Sequence, residues 1–427
     1  MNDFEHELSQ SLRHQADGLT PTGLTMEQVQ GRATRIRRRR YAASALGAAA
    51  MVGVLVPTTM LLTPNGDTPG PDPIVAAPTV IPEHARAGSE VLDFTDLPAG
   101  EASLLNYLDL RGDEPVLVSP AGERTTLQLE GEPRSFVTLA DGRHVVWTDQ
   151  LGEGEVEVVD AEGALESVQP SNAGLVVDAD YRQAAWADPQ GGVQVLVPGE
   201  QEPITLGTVA DATLEVVDLT GDCLEEVLPG GSGGCVVHAN ATYADGSVQP
   251  LVVTREGVFE ANSEGIFMVV DDFVTAGDPQ SQRYLSYLAG VREVRPAGTC
   301  SGVFGVDEES GESTWLVKTC EHTFDDFSPD AHKVLAWEGY GDGIGHYVVG
   351  MYDLTTRKLL WARDRAGSGM SFVHSAVWED QDHLLAPVWQ DGQWLLVRFG
   401  PDGALEQVTE PADGEDVEPA YLVETQH

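Results

Sequence analysis

From Val91 to the C-terminus, apolar residues come in short runs broken by turn residues, and no stretch sustains the 3.6-residue period of a long helix. The pattern is plainest over Ser135–Val168, SFVTLADGRHVVWTDQLGEGEVEVVDAEGALESV, where one strand ends at Ala140-Asp141-Gly142 and HVVWT and EVEVVDA follow before a Glu-Gly turn into a fourth. Asp-Gly between apolar runs signals a hairpin, because both turn positions need a left-handed backbone. The unit recurs as VVDADYRQAAWADPQGGVQVLVPG, as FSPDAHKVLAWEGYGDGIGHYVVGMYDLTTRKLLW and as SAVWEDQDHLLAPVWQDGQWLLVRFGPDGALEQV. Aligned on their Asp-containing turns, these units set Trp147, Trp186 and Trp337 at matching positions of the second strand, with Trp389 close but shifted. Unit starts fall near 104, 134, 174, 212, 265, 323 and 372. Four short strands per unit describe a propeller blade, so residues 89–427 are expected to form an all-β propeller of about seven blades. A pair of β-sandwiches would yield many of the same strands.

Upstream the pattern changes. No charged residue occurs from Tyr41 to Gly66, and residues 41–63 supply the roughly 20 apolar residues that a membrane-spanning helix needs. Arg35, Arg37, Arg38, Arg39 and Arg40 abut its N-terminal side, so the positive-inside rule places residues 1–40 in the cytoplasm and the propeller outside. A cleaved signal peptide is the competing reading, but its charged leader would be forty residues long and its apolar run over-long. In the tail, Phe4, Leu8 and Leu12 predict a short amphipathic helix stopped by Gly18 and Pro21, and Met26, Val29 and Ile36 a second helical piece. Residues 64–88 hold six prolines and read as an extended linker.

Charge sharpens this division. The net charge of −45 is uneven: residues 1–40 carry seven arginines against five acids, and the remainder carries 64 acids against 17 bases. So acidic a domain excludes nucleic acid, which needs basic patches, and keeps itself soluble. Cys223, Cys235, Cys300 and Cys320 all fall on the outer side, where an even number reads as disulfides. Of three pairings, Cys223–Cys235 and Cys300–Cys320 are favoured, since each pair flanks a Gly-rich reversal and could staple neighbouring strands. Zinc is not indicated, as there is no C-x-x-C and no nearby His pair.

Few motifs carry chemistry. Gly230-Gly231-Ser232-Gly233-Gly234 matches G-x-S-x-G in form, but a strand follows where a nucleophile elbow needs a helix, so a hairpin tip is expected. His84, His144, His238, His322, His332, His346, His374 and His383 are dispersed, without ligand spacing. Trp361, Trp378, Trp389 and Trp394 are expected in blade cores. No glycine-rich phosphate loop opens a helix. No catalytic set is assigned, and an enzyme is not expected. The rival is a propeller hydrolase or lyase whose acids, His or Arg converge at the central channel.

Three resemblances add to this. The run Ser328-Pro329-Asp330-Ala331 to Trp337 resembles WD40-like and TolB-like propeller repeats, with Ala331 in place of their glycine. The layout of short helical tail, arginine run, single span and outer domain resembles membrane-anchored anti-sigma-factor-like proteins of actinobacteria, whose scarcity of lysine the chain shares. Their His–Cys-x-x-Cys zinc motif is absent from the tail. Asp218-Leu219-Thr220-Gly221-Asp222-Cys223-Leu224-Glu225-Glu226 resembles the calcium loop of FG-GAP-type propellers, which implies ligands at Asp218, Thr220, Asp222 and Glu226, with Cys223 where that motif has glycine. The expectation is a single-pass membrane protein, N-terminus cytoplasmic, whose outer propeller binds or scaffolds an envelope protein or small ligand. Apart from calcium no cofactor is expected. A regulator with a cytoplasmic partner for residues 1–35 is the alternative.

Overall fold

The computed structural model describes residues 90–425 except 151–152, 173, 179, 225–233, 262–267, 279–282, 296–297, 308–312, 339–344, 365–370 and 417. The expected tail, arginine cluster, span and linker therefore lie outside the described residues, as do Glu226 and Ser232. No helix among the described residues is long and apolar enough to cross a membrane.

Seven sheets follow one another along the chain, built from antiparallel neighbours stepping outwards apart from one parallel strand added to blade 6. Blade 2 is the plainest: Glu132–Thr138, His144–Gln150, Glu153–Val159 and Leu165–Ser171 pair in that order. Blades 3, 4, 5 and 6 begin with inner strands Val176–Val177, Ala212–Gly221, Met268–Asp278 and His322–Phe327. Blade 7 splits its inner strand into Ser371–Val373 and Val377–Trp378, both on Leu384–Gln390. The seven-bladed propeller expected from the turn spacing is the fold, and its blade starts lie close to those expected.

Blade 1 was not legible in this way. Its second strand, Tyr107–Asp109, finds an inner partner in Tyr421–Val423 at the other end of the chain. The closure is buttressed by Glu424, whose carboxylate accepts from Thr138 N–H of blade 2 and from Asn106 Nδ2 at 2.8 Å. A second device runs alongside. Glu90–Val91 adds in parallel to Lys358–Asp364, the outer strand of blade 6. The chain then crosses blade 7 as a strap to Tyr107. Leu92 and Phe94 plug the junction of blades 6 and 7, and Gly100 N–H reaches Gln407 O at 2.8 Å. The strap's last turn is held by a buried ion pair. Arg398 bonds both oxygens of Glu379 and the carbonyls of Glu101 and Ala102, while Glu379 accepts from Leu104 N–H.

Packing between blades follows strand alternation: one face of each sheet meets the blade before it and the other the blade after. Trp147 and Trp337 face the following blade as the repeat alignment implies, in the 2–3 and 6–7 junctions. Trp186, fully buried, faces back towards blade 2. The reason is its place in the strand: counted from the first residue paired with the inner strand, Trp186 is third from Ala184, whereas Trp147 and Trp337 are fourth from His144 and Val334. A single-residue slip in register exchanges the faces of a strand. Trp361, Trp378, Trp389 and Trp394 all lie in or against the clusters that join blade 7 to its neighbours.

Both favoured disulfides are formed. Cys223–Cys235 closes the turn between the inner two strands of blade 4, and Cys300–Cys320 joins the outer two of blade 5. Gly221 opens the first turn with φ 80°, and a Cβ there would stand 2.4 Å from Gly234 O. Only glycine fits.

Replacing Arg398 with Leu leaves Glu379, whose side chain has no exposure, without its cation. Urea unfolding of this variant is expected to show a loss of about 3–5 kcal/mol, much of it recovered in Glu379→Gln/Arg398→Met. A single variant within about 0.5 kcal/mol of the parent would show that the pair does not hold the strap.

Candidate functional site

Apolar clusters of described residues fill the junctions between blades 1 and 2, 2 and 3, 3 and 4, 5 and 6, 6 and 7, and 7 and 1. Blade 4 behaves differently on its outer-facing side. Leu214, Val216, Val237 and Ala241 turn towards blade 3. The alternate positions, directed at blade 5, carry Glu215 opposite Asn240 and Asp218 opposite His238. Asp218 and Asn240 are buried, and His238 Nδ1 lies 4.0 Å from Asp218 Oδ2. Burial raises the Glu215 carboxyl to about 7, because desolvation penalises the ionised form.

This is where the residues of the calcium-like stretch are found. Asp218 and Thr220 belong to the inner strand of blade 4, in register with His238 and Val236, rather than to a free loop. Asp222 begins the turn. Its Oδ1 accepts from Leu224 N–H at 2.8 Å, and its Oδ2 lies 3.5 Å from Arg182 Nη1. Gln183 ties the turn to blade 3, donating to Gly221 O and accepting from Cys223 N–H. Among the described residues no three His, Cys, Asp or Glu side chains are set around a common point for a metal.

A second polar group stands on the inner strand of blade 6. A bulge pairs Phe324 with Ala336 and Phe327 with Val334, leaving Asp325 and Asp326 opposite Leu335. Both phenylalanines thereby stay in the 5–6 core while the two aspartates turn towards blade 7. Trp337 Nε1 donates to Asp325 Oδ2 at 2.6 Å, and Trp378 Nε1 to Asp326 O at 3.0 Å. Burial raises the Asp325 carboxyl. His346 stacks on Trp337 with ring centroids 4.0 Å apart and planes 17° from parallel. Glu338 holds the loop before the third strand by accepting from Tyr347 N–H at 3.0 Å and Val348 N–H at 3.2 Å.

Chemically this group combines a carboxyl disposed to keep its proton, an imidazole and a carboxylate held by two backbone N–H groups. It can hold positive charge or exchange a proton. Asp325, Asp326 and His322 lie on one strand, within five residues of one another. His346 and Glu338 join them through strand pairing and ring stacking, which no local pattern announces.

No protein-family model matches the chain, and no curated protein matches it. Solved structures do resemble it. A structural-genomics protein from Lactobacillus plantarum is 13% identical with a TM-score of 0.46, covering 74% of this chain and 99% of its own. The dihydro-heme d1 dehydrogenase NirN, solved in complex with DHE, is 14% identical with a TM-score of 0.42, covering 78% and 81%. A protein from Bacteroides fragilis provisionally assigned as a 6-phosphogluconolactonase is 12% identical with a TM-score of 0.43, covering 76% and 99%. These likenesses assign no residue and no activity to the present chain.

Glu215 sets a pH dependence. A carboxyl raised in the fold stabilises it below the unfolded value of 4.5, and that contribution is lost as pH rises through about 7. Relative to Glu215→Gln, the parent is expected to lose on the order of 2 kcal/mol between pH 4.5 and 7.5, read by urea unfolding across the range. Parallel stability curves for the two proteins would remove Glu215 as the cause.

Proposed function

We propose that this chain is a binding or scaffolding propeller carried at a bacterial cell envelope by a single N-terminal membrane span, with residues 1–40 inside and the propeller outside. The observation that best supports this reading is the place where the chain joins the ring. Glu90–Val91 lies on the outer edge of blade 6, and Gly100 of the strap bonds Gln407 on the outer strand of blade 7, so the chain reaches the ring from its rim, as a tethered propeller requires. The two disulfides suit an oxidising compartment. The uncharged run 41–63 behind five arginines suits an anchor.

Cells producing the full chain with an epitope at residue 1 are expected to retain it in the membrane fraction after alkaline extraction. Protease added to intact spheroplasts should then release the propeller while leaving the epitope protected. A chain recovered in the soluble fraction, or a propeller shielded from external protease, overturns this topology.

A further inference from the structure

We infer that His346 Nδ1 and Glu338 Oε2 are two ligands of a divalent transition-metal site at the junction of blades 6 and 7. The two atoms face each other across 3.6 Å. His346 Nδ1 is buried and makes no hydrogen bond. A proton placed there would point at Glu338 from beyond hydrogen-bonding range, so the pair does not close upon itself. An ion about 2.1 Å from each atom would see them at an angle of about 120°, against roughly 109° for an ideal tetrahedron.

Each group is held by contacts that leave the facing atoms available. The imidazole lies flat on Trp337, and the His346 backbone exchanges two hydrogen bonds with Val373 of blade 7, at 2.7 and 2.8 Å. Gly345 makes that approach feasible, since a Cβ there would sit 2.3 Å from the Phe372 ring. Glu338 spends one lone pair of each oxygen on Tyr347 and Val348 N–H and keeps the others. Asp325 Oδ2 accepts from Trp337 Nε1 and so fixes the ring on which the imidazole lies.

An imidazole with a carboxylate selects a borderline cation such as zinc over calcium, which prefers oxygen alone. With two protein ligands the ion keeps positions open to water or to a ligand's donor atom. Its affinity is accordingly expected in the micromolar range rather than that of a closed structural site.

Calorimetric titration of the untagged full chain with zinc chloride tests this. One ion per chain is expected to bind, with a rise in melting temperature. His346→Ala should weaken binding more than about 10-fold, and Glu338→Asp, which withdraws the carboxylate but keeps its charge, should weaken it similarly. His374→Ala and Asp222→Ala should bind as the parent does. Should His346→Ala fail to fold, Glu338→Asp decides alone. Absence of zinc binding, or equal binding in all four variants, overturns the assignment and leaves a plain His–Glu ion pair. Binding lost only in Asp222→Ala would move the ion to the blade 4 turn and overturn it equally.

Discussion

Ring closure is the constraint on which the rest of this structure depends. Without its inner strand, blade 1 would leave the N–H and C=O groups of Tyr107–Asp109 unpaired and the cores it shares with blades 7 and 2 short of side chains. Three residues, Tyr421–Val423, supply the missing edge. They bring with them Tyr421 and Leu422, which enter the 7–1 and 1–2 cores. The Glu424 carboxylate beside them is raised by burial yet bonded to both Asn106 and Thr138, so it joins both ends of the chain to the next blade. Without that edge, neither adjoining core is complete.

Given closure, the blades differ in what they place between them. Apolar side chains fill six junctions among the described residues, and the alternation of each strand is enough to explain this. The departures are informative. Blade 4 directs at blade 5 a carboxyl raised by burial and the buried Asp218 and Asn240 with His238 between them. Blade 6 uses a bulge to turn two aspartates out of register, so that its phenylalanines stay in the core. Burying such groups costs free energy that leucine or valine would not, which is the physical reason to look for function there.

Local order is what could be read from sequence. Asp141-Gly142 and its counterparts mark hairpins through backbone conformation, and alternation fixes strands, so blade count and blade starts were recoverable. Cysteine pairing was recoverable because each pair spans one turn. The match of Trp186 to Trp147 and Trp337 fails by one strand position, which reverses its face without altering the strand's composition. What no local pattern encodes is contact between distant segments. The strap across blade 7, the borrowed inner strand of blade 1, and the meeting of His346 with Glu338 all depend on where the ring puts them. The Asp218–Glu226 spacing suggested a loop, but its first four residues continue a strand whose partner begins at Cys235.

The borrowed strand has a consequence in time. Asn106 and Glu424, which meet in the closure, are 318 residues apart in the chain. Blades 2 to 6 can assemble from contacts between neighbours as the chain emerges, but blade 1 has no inner strand until Tyr421–Val423 has been made. Loop-closure entropy grows only slowly with length, so the delay costs little stability and is chiefly kinetic. A chain crossing a membrane during synthesis would therefore remain an open arc, with one unpaired edge at each end, throughout its passage. Loss of a handful of C-terminal residues would make that arc permanent.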